Sequence, residues 1–208
     1  MSDLFESRWH GVGTAGSPAL EFANTLDWRL RDEPIELLHS CVDLLRWSWS
    51  VEVLSLAEAR NLRTWAQEHP RRAARALESA IELREAGADL LEAQVRGESA
   101  PPSALETVEL AYRACIGLRS LRETGEGLGW GWREKTPVIA WIAGAVALDI
   151  VQLLTSPGRE RIRQCADEQC GWFFLDTSRN RSRRWCSMRG CGNRSKVRNF
   201  YRRSTQAR

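Results

Sequence analysis

Histidine is scarce in this sequence, and it occurs without the partners that a catalytic site needs. The 208 residues include three histidines, at positions 10, 39 and 69, which are far apart in the chain. No nucleophile–base pair is visible around them, and many hydrolytic and group-transfer mechanisms depend on such a pair. We therefore predict that the protein is not an enzyme.

The first residues lack the features of an export signal. Residues 1–8 contain no apolar segment of the kind that a signal peptide carries. We therefore expect a cytoplasmic protein, in which cysteines stay reduced. One apolar run, Pro137–Leu154, approaches the length of a membrane span, but it includes Asp149 and Gln152. A buried core helix explains this run better, so no membrane partner is predicted.

Strand-like alternation is also missing from the first 155 residues, where apolar side chains recur at helical spacing. Pro18–Leu30 is one predicted helix, and Ser55–Glu58 has the form of a capping box that starts another. Ser103 is predicted to cap a helix that ends near Glu123. The glycine-rich run Gly125–Gly131 is predicted to be a loop, after which Thr136 caps the apolar helix. Residues 1–156 are thus predicted to form an all-helical bundle.

Four cysteines form two matched pairs in the last quarter of the chain. Four residues separate Cys165 from Cys170 and Cys186 from Cys191, and fifteen lie between the pairs. Thiolates at this spacing can converge on one tetrahedral Zn²⁺, and four protein ligands leave no open position, so one structural zinc ion is predicted. An iron–sulfur cluster is less favoured because the spacing matches neither common ferredoxin pattern. Disulfides are less favoured because no secretion signal is visible.

The cysteine segment has its own pattern of secondary structure. Turn residues at Thr155–Gly158 mark a boundary, two short strand-like stretches flank the first cysteine pair, and helical spacing follows Cys191. The predicted fold class is therefore mainly α, with the N-terminal helical bundle followed by a small treble-clef-like Cys₄ zinc finger over residues 159–208, made of a short hairpin and a C-terminal helix. Val197 is expected in the finger's core, on an apolar stripe with Phe200.

Charge divides at the same boundary. Residues 159–208 contain 14 Arg/Lys and 4 Asp/Glu, a net charge of +10, whereas residues 1–158 contain 16 and 23, a net charge of −7. Such an asymmetry points to a nucleic-acid or membrane-surface role for the basic half, and arginine suits phosphate and guanine contacts. We predict nucleic acid as the partner, although a solvated surface that offsets the thiolate charge is the alternative. The candidate nucleic-acid contacts are Arg179, Arg181, Arg183, Arg184, Arg194, Lys196, Arg198 and Arg202.

Two motifs resemble a known family. Leu20-Glu-Phe-Ala-Asn-Thr25 is similar to the opening of the ABATE domain, with Glu21 in place of the more usual aspartate. Cys191-Gly-Asn-Arg194 and the segments Asp176–Asn180 and Arg184–Ser187 resemble the CGNR zinc finger, to which that domain is commonly fused. Members are described as bacterial stress-induced transcription regulators. The resemblance implies that Cys165, Cys170, Cys186 and Cys191 are the zinc ligands and that Arg194 contacts phosphate.

The leading functional hypothesis is a transcription regulator whose finger binds DNA and whose helical domain senses a ligand or mediates assembly. Polar residues on otherwise apolar helices are the candidates to line a small-molecule effector site, namely Asn24, Thr25 and Asp149; a structural hydrogen bond is the alternative for each. RNA or ribosome binding is a second hypothesis. A third is a protein-interaction module with purely structural zinc. A homodimer is compatible with each of these.

Overall fold

Helices make up most of the chain, and they begin and end where local sequence signals require. The computed structural model describes residue 9 and residues 13–125, 127–132 and 138–206. Its α-helices are α1 Pro18–Ala23, α2 Cys41–Ser50, α3 Leu56–Glu68, α4 Pro70–Arg96, α5 Pro102–Leu118, α6 Val138–Thr155 and α7 Asn193–Gln206. The mainly α fold with a small cysteine-rich unit at its end is as predicted.

Capping explains the limits of the middle helices. Ser55 and Glu58 form the predicted capping box, in which each side chain bonds the other residue's backbone N–H at the start of α3. Helix α4 ends at Gly97, which adopts the left-handed conformation with φ of 69°. Helix α5 begins two residues earlier than a cap at Ser103 predicts, with Pro102 as its first residue. The predicted cap at Thr136 lies outside the described residues.

Three two-stranded antiparallel sheets complete the fold. Strand β1 (Leu26–Asp27) pairs with β2 (Ile35–Glu36), β3 (Arg119–Thr124) with β4 (Gly127–Trp132), and β5 (Ile162–Gln164) with β6 (Phe173–Leu175). The third sheet is the predicted hairpin of the finger. The first two lie in the segment predicted to be purely helical, so that prediction is wrong at two places.

Helix α1 is shorter than predicted because its last residues bond elsewhere. The helix ends at Ala23 and not at Leu30. The Thr25 hydroxyl donates to the Phe22 carbonyl at 2.7 Å, and the chain then turns into β1. A short loop follows, and its residue Trp28 has a positive φ of 52°, a backbone conformation that is uncommon outside glycine.

The predicted glycine loop is a strand. Leu121 faces Trp130 across the β3–β4 hairpin, and Thr124 faces Gly127. Glycine alternates with large residues along β4, which places Leu128 and Trp130 on one face of the strand. A β-carbon at Gly131 would lie 2.9 Å from the Cδ atom of Arg122, so a larger residue there would have to displace that flexible side chain. The alternation of glycine with large residues has a period of two, which indicates a strand. The glycine content alone favoured a loop.

The main core lies between α1, α2, α3, α4, α5 and α6. Trp47 is fully buried and packs against Phe22, with ring centroids 4.6 Å apart. Ile142, Val146 and Ile150 of α6 are in the same cluster, so the apolar run is a core helix, as predicted. Among the described helices, none has the combination of length and hydropathy that crossing a bilayer would require.

A second core joins the helical bundle to the finger. Leu20 and Leu91 of the bundle pack with Ile162 and Phe173 of the hairpin β5–β6, and all four side chains are buried. Burial of these apolar side chains away from water favours association of the helical bundle with the finger. The bundle and the finger therefore share a hydrophobic core, although a turn at Pro157–Arg161 marks the change of segment in the chain.

Candidate metal centre and nucleic-acid interface

The four predicted cysteine ligands meet at one point. Their sulfur atoms all lie within 4.8 Å of one another, and all four residues are buried. The Sγ atoms of Cys170 and Cys186 are 3.7 Å apart, and those of Cys186 and Cys191 are 3.5 Å apart. Four sulfurs at about 2.3 Å from a central Zn²⁺ would be about 3.8 Å from each other. The geometry fits a tetrahedral zinc ion.

Secondary structure delivers the ligands in pairs. Cys165 follows β5, and Cys170 ends the turn that leads into β6, where the Cys165 N–H donates to the Trp172 carbonyl at 2.8 Å. Cys186 precedes a π-helical turn, Met188–Gly192, which contains Cys191 and runs directly into α7. The Ser187 hydroxyl caps this turn by accepting from the Gly190 N–H. Both knuckles are thus held by the backbone as well as by the metal.

Electrostatics in the cluster also favour a cation. Hydrogen bonds from Cys170 and Cys186 hold the pKa of Cys165 far below the ordinary thiol value, whereas burial is the main cause that raises the pKa of Cys191. One thiolate thus forms readily while its neighbours keep protons in a crowded, buried space. A divalent cation replaces those protons and balances the four thiolates.

Asp167 is a buried carboxylate between the first knuckle and α7. Its Oδ2 atom accepts from Arg198 at 2.8 Å and lies 3.6 Å from Arg194. Its backbone carbonyl accepts the Cys170 N–H at 3.1 Å. A carboxylate within a basic segment is easily overlooked in the sequence; the signal available was that it lies inside the Cys165–Cys170 knuckle.

Arg194 contacts the metal site and not the solvent alone. Its Nη2 atom donates to the Sγ of Cys191 at 2.8 Å, and its guanidinium lies over the indole of Trp28, 4.5 Å from the ring centroid. A cation beside a zinc-bound thiolate offsets its charge, and hydrogen bonds of this kind orient the ligand. Arg194 therefore joins the helical bundle, the metal centre and α7.

Arg183 also points inward. Its guanidinium lies 4.3 Å from the ring centroid of Phe174 and donates to the carbonyls of Thr14, Trp185 and Cys186. Three of its five N–H groups thus donate to carbonyls while the cation lies over a ring, so this side chain is engaged within the protein. Of the candidate nucleic-acid contacts, Arg183, Arg194 and Arg198 therefore have partners within the protein, while the side chains of Arg194 and Arg198 remain 45 and 41% exposed.

The other candidate contacts lie on the surface. Arg179, Arg184 and Lys196 are exposed, as is Arg189. Arg181 pairs with Glu160 at 2.7 Å. Arg202 is in α7, but its side chain is outside the described part. Arg184 lies over the Trp185 ring at 5.2 Å and still leaves its guanidinium edge accessible.

A rigid loop presents Arg179. The buried Asp176 carboxylate accepts from the N–H and hydroxyl of Ser178 and from the N–H of Arg183. The hydrogen bonds from Ser178 are the first cause that lowers the pKa of Asp176, so it stays ionised. Asx-type turns of this kind fix the backbone, and Arg179 is exposed on this loop.

The proposed ligand-binding residues of the helical part have structural partners. Asn24 bonds the backbone of Phe173, Thr25 accepts from Arg84 at 3.2 Å, and Asp149 accepts the Ala19 N–H at the start of α1. Other residues line the cavities near the finger and near Glu21. The structure thus places these three at packing contacts.

The unusual Glu21 closes a loop against the helical bundle. Its Oε1 atom accepts from the N–H groups of Gly13 and Ala15 at 2.7 and 2.9 Å. Burial is the largest influence on this carboxyl and raises its pKa, against the lowering effect of those hydrogen bonds. The Ala15 carbonyl in turn accepts the Leu175 N–H of the finger at 2.7 Å. Glu21 thus stabilises a loop that contacts the finger.

Comparison with known families agrees with this arrangement. A family model described as "Putative stress-induced transcription regulator" matches residues 16–157. The chain belongs to this family, the ABATE family. A second model, described as CGNR zinc finger, matches residues 161–204. The resemblance suggested by the two sequence motifs is confirmed, and the zinc site of this ABATE chain is a single structural one. A search of the curated proteins finds no match.

Proposed function

We propose that this chain is a cytoplasmic transcription regulator whose zinc finger binds duplex DNA and which has no enzymatic activity. The observation that carries the proposal is a set of exposed cations around the zinc centre. Within the described part of the chain, Arg179, Arg184, Arg189 and Lys196 have no ion-pair partner. They surround a rigid scaffold, which is the condition for a phosphate-binding surface.

The electrostatic argument predicts strong dependence on salt. Each side chain that neutralises a DNA phosphate releases a counterion, so the logarithm of affinity falls with the logarithm of salt concentration by about 0.9 per contact. The inward-facing arginines, Arg183, Arg194 and Arg198, would contribute less, since their charges are already partnered. We therefore expect the salt dependence of the affinity to be determined by the exposed residues Arg179, Arg184, Arg189 and Lys196.

A binding experiment on the full chain tests this proposal. Anisotropy titrations with a random-sequence 30-base-pair duplex would compare the wild type with the R179Q/R184Q/R189Q variant at several salt concentrations. The slope should fall by about three in the variant. The matched control is R71Q/R72Q/R75Q, which removes three exposed arginines of α4 and should leave the slope unchanged.

Competition distinguishes the alternative functions. A structured RNA hairpin of equal charge is expected to displace the duplex poorly; preferential binding of the RNA would favour the second hypothesis. If neither nucleic acid binds at low salt, the finger acts as a protein-interaction module with purely structural zinc. Full zinc occupancy must be verified in every variant, so that loss of binding is not loss of folding.

Assembly is the better-supported role for the helical domain, because Asn24, Thr25 and Asp149 are engaged in packing. Large apolar side chains are exposed on α5 and the adjoining hairpin, among them Leu110, Leu128 and Trp130, at 60, 74 and 64% exposure. Apolar surface in one region is typical of an interface, and we propose a homodimer. Light scattering of the L128S/W130S variant should show a monomer if these residues form the contact.

A further inference from the structure

Helix α7 has two distinct faces. Arg194 and Arg198, one turn apart, reach back to the buried Asp167 and attach the helix to the first knuckle. Asn193, Val197 and Phe200 follow the i, i+4, i+7 spacing that defines the other face. The arginine face is partly covered, with side-chain exposures of 45 and 41%, whereas the second, outward face carries exposed apolar side chains, which an amphipathic surface helix usually buries.

The outward face is open to solvent along its length. Val197 is 54% exposed and Phe200 is 67% exposed, so the expectation that Val197 belongs to the finger's core is wrong. The reason is that the arginine pair fixes the helix in the opposite orientation. Met188, at the start of the π-turn, adds a third exposed apolar side chain beside this face. Val197 and Phe200 here lie within the most basic segment of the chain.

A basic groove runs beside the outward face. Its lining comprises Arg189, Gly190, Asn193, Arg194, Val197 and Arg198, and its volume is about 410 Å³. Of its three arginines, Arg194 and Arg198 share the single carboxylate of Asp167, whereas Arg189 is exposed. The groove therefore keeps a positive charge next to an apolar and amide surface.

We propose that α7 lies in the major groove of duplex DNA with Asn193, Val197 and Phe200 directed at the base edges, so that this face supplies sequence specificity. The inference rests on the proposed function and adds the reading surface to it. A major groove about 12 Å wide admits one α-helix, and apolar side chains contact the thymine methyl group. The Asn193 amide donates one N–H to the Arg189 carbonyl at 3.3 Å and can present its Oδ1 atom and its second N–H to a base. Phosphates flanking the groove meet Arg189, which fixes the register.

Charge decides between DNA and the other surface that such a helix could contact. An amphipathic basic helix also binds anionic membranes, but there a continuous apolar face inserts into the lipid while the basic residues lie on the polar face. On α7 two of the arginines are bonded to Asp167, and the apolar side chains of Val197 and Phe200 share their face with the amide of Asn193. The major groove of duplex DNA therefore fits this mixed apolar and amide face better than a lipid surface does.

Selection from a random duplex library tests the proposal, using the full-length zinc-loaded chain. The wild type should enrich a short motif. In the N193A/V197A/F200A variant the enrichment ratio of that motif should fall at least about tenfold, while binding to unselected duplex changes little. The control, I35A on β2, removes an apolar side chain that is 44% exposed and lies outside the proposed dimer contact; it should keep the full enrichment. R189Q should weaken binding to all sequences alike.

Several results would overturn the proposal, and they separate it from the proposed function. Equal enrichment by the wild type and the triple variant would leave DNA binding intact and remove α7 as the reading face. A wild type that binds duplex but enriches no motif would have the same consequence. Binding to vesicles of phosphatidylglycerol in preference to duplex would assign the face to membranes. Absence of any duplex binding would remove both proposals together.

Discussion

Asn24 and Phe173 exchange two hydrogen bonds across the junction of the helical bundle and the finger. The Asn24 Nδ2 atom donates to the Phe173 carbonyl at 2.8 Å, and its Oδ1 atom accepts the Phe173 N–H, also at 2.8 Å. Both residues are buried. A side-chain amide here substitutes for a neighbouring strand, because it satisfies the donor and the acceptor that β6 would otherwise leave unpaired in the core.

Replacing Asn24 with alanine should therefore destabilise the junction. The Phe173 N–H and C=O would lose their partners inside the protein, which typically costs about 1–3 kcal/mol for each unsatisfied group. Chemical denaturation should show a lower unfolding free energy, and limited proteolysis should cut near Thr155–Gly158 more quickly. N180A, at an exposed loop position, is the control. Unchanged stability in N24A would show that the pair is not a principal connection.

The sequence predicted the metal centre better than it predicted the surface around it. Cysteine spacing can be read directly from the sequence. Because one tetrahedral ion requires its four ligands to meet, the sequence alone predicts that Cys165 and Cys191 lie at the same site. The partners of an arginine depend on tertiary structure. Arg194 and Arg179 are equally basic in the sequence, yet the first bonds a thiolate and the second faces solvent.

The difference between local signals and tertiary contacts also explains which features of the helical part could be predicted. The core positions of α6 follow from periodicity, and capping residues indicate where α3 begins. The role of Asn24 could not be inferred, because its partner is 149 residues away. A polar residue on an apolar helix can equally line a pocket or satisfy a remote backbone, and only the fold decides between these roles.

Substitution of Arg194 by lysine should weaken zinc retention. Lysine keeps the positive charge but loses the planar group that lies over Trp28 and donates to the Cys191 sulfur. Loss of an outer hydrogen bond to a metal ligand typically lowers metal affinity by 10- to 100-fold. Competition with a chromophoric chelator would measure the change. R189K, at an exposed position of the same turn, should release zinc at the wild-type affinity; a similar loss in both variants would refute a specific role for Arg194.

Acid should destabilise the fold partly through Glu36. Burial would raise the pKa of this carboxyl, but hydrogen bonds from the buried Arg84 outweigh that effect and lower it below 4.5. A lowered folded-state pKa gives stability that is present above pH 4.5 and is lost as the pH falls through the folded value. E36Q should be less stable than the wild type at neutral pH and should lose less stability on acidification.

Denaturant titrations between pH 3 and 7 would check this dependence. The difference in unfolding free energy between the wild type and E36Q should narrow as the pH falls below 4.5. E98Q, at an exposed position beyond α4, controls for the general loss of a carboxylate. If the difference is constant over the whole range, the Arg84–Glu36 pair has no pH-dependent part in stability.

Zinc removal should unfold the finger and loosen the bundle without destroying it. Cys170→Ser and Cys191→Ser each remove one ligand, and metal binding of this type supplies about 10–16 kcal/mol of folding free energy. Unfolding of the finger would expose Leu20 and Leu91, which pack against Phe173, but would leave the separate cluster around Trp47 intact. Metal analysis should give one zinc per wild-type chain and little in either variant, while most of the helical circular dichroism remains. Cys115→Ala, outside the cluster, should keep its zinc; full zinc content in a Cys170→Ser/Cys191→Ser double variant would contradict the site.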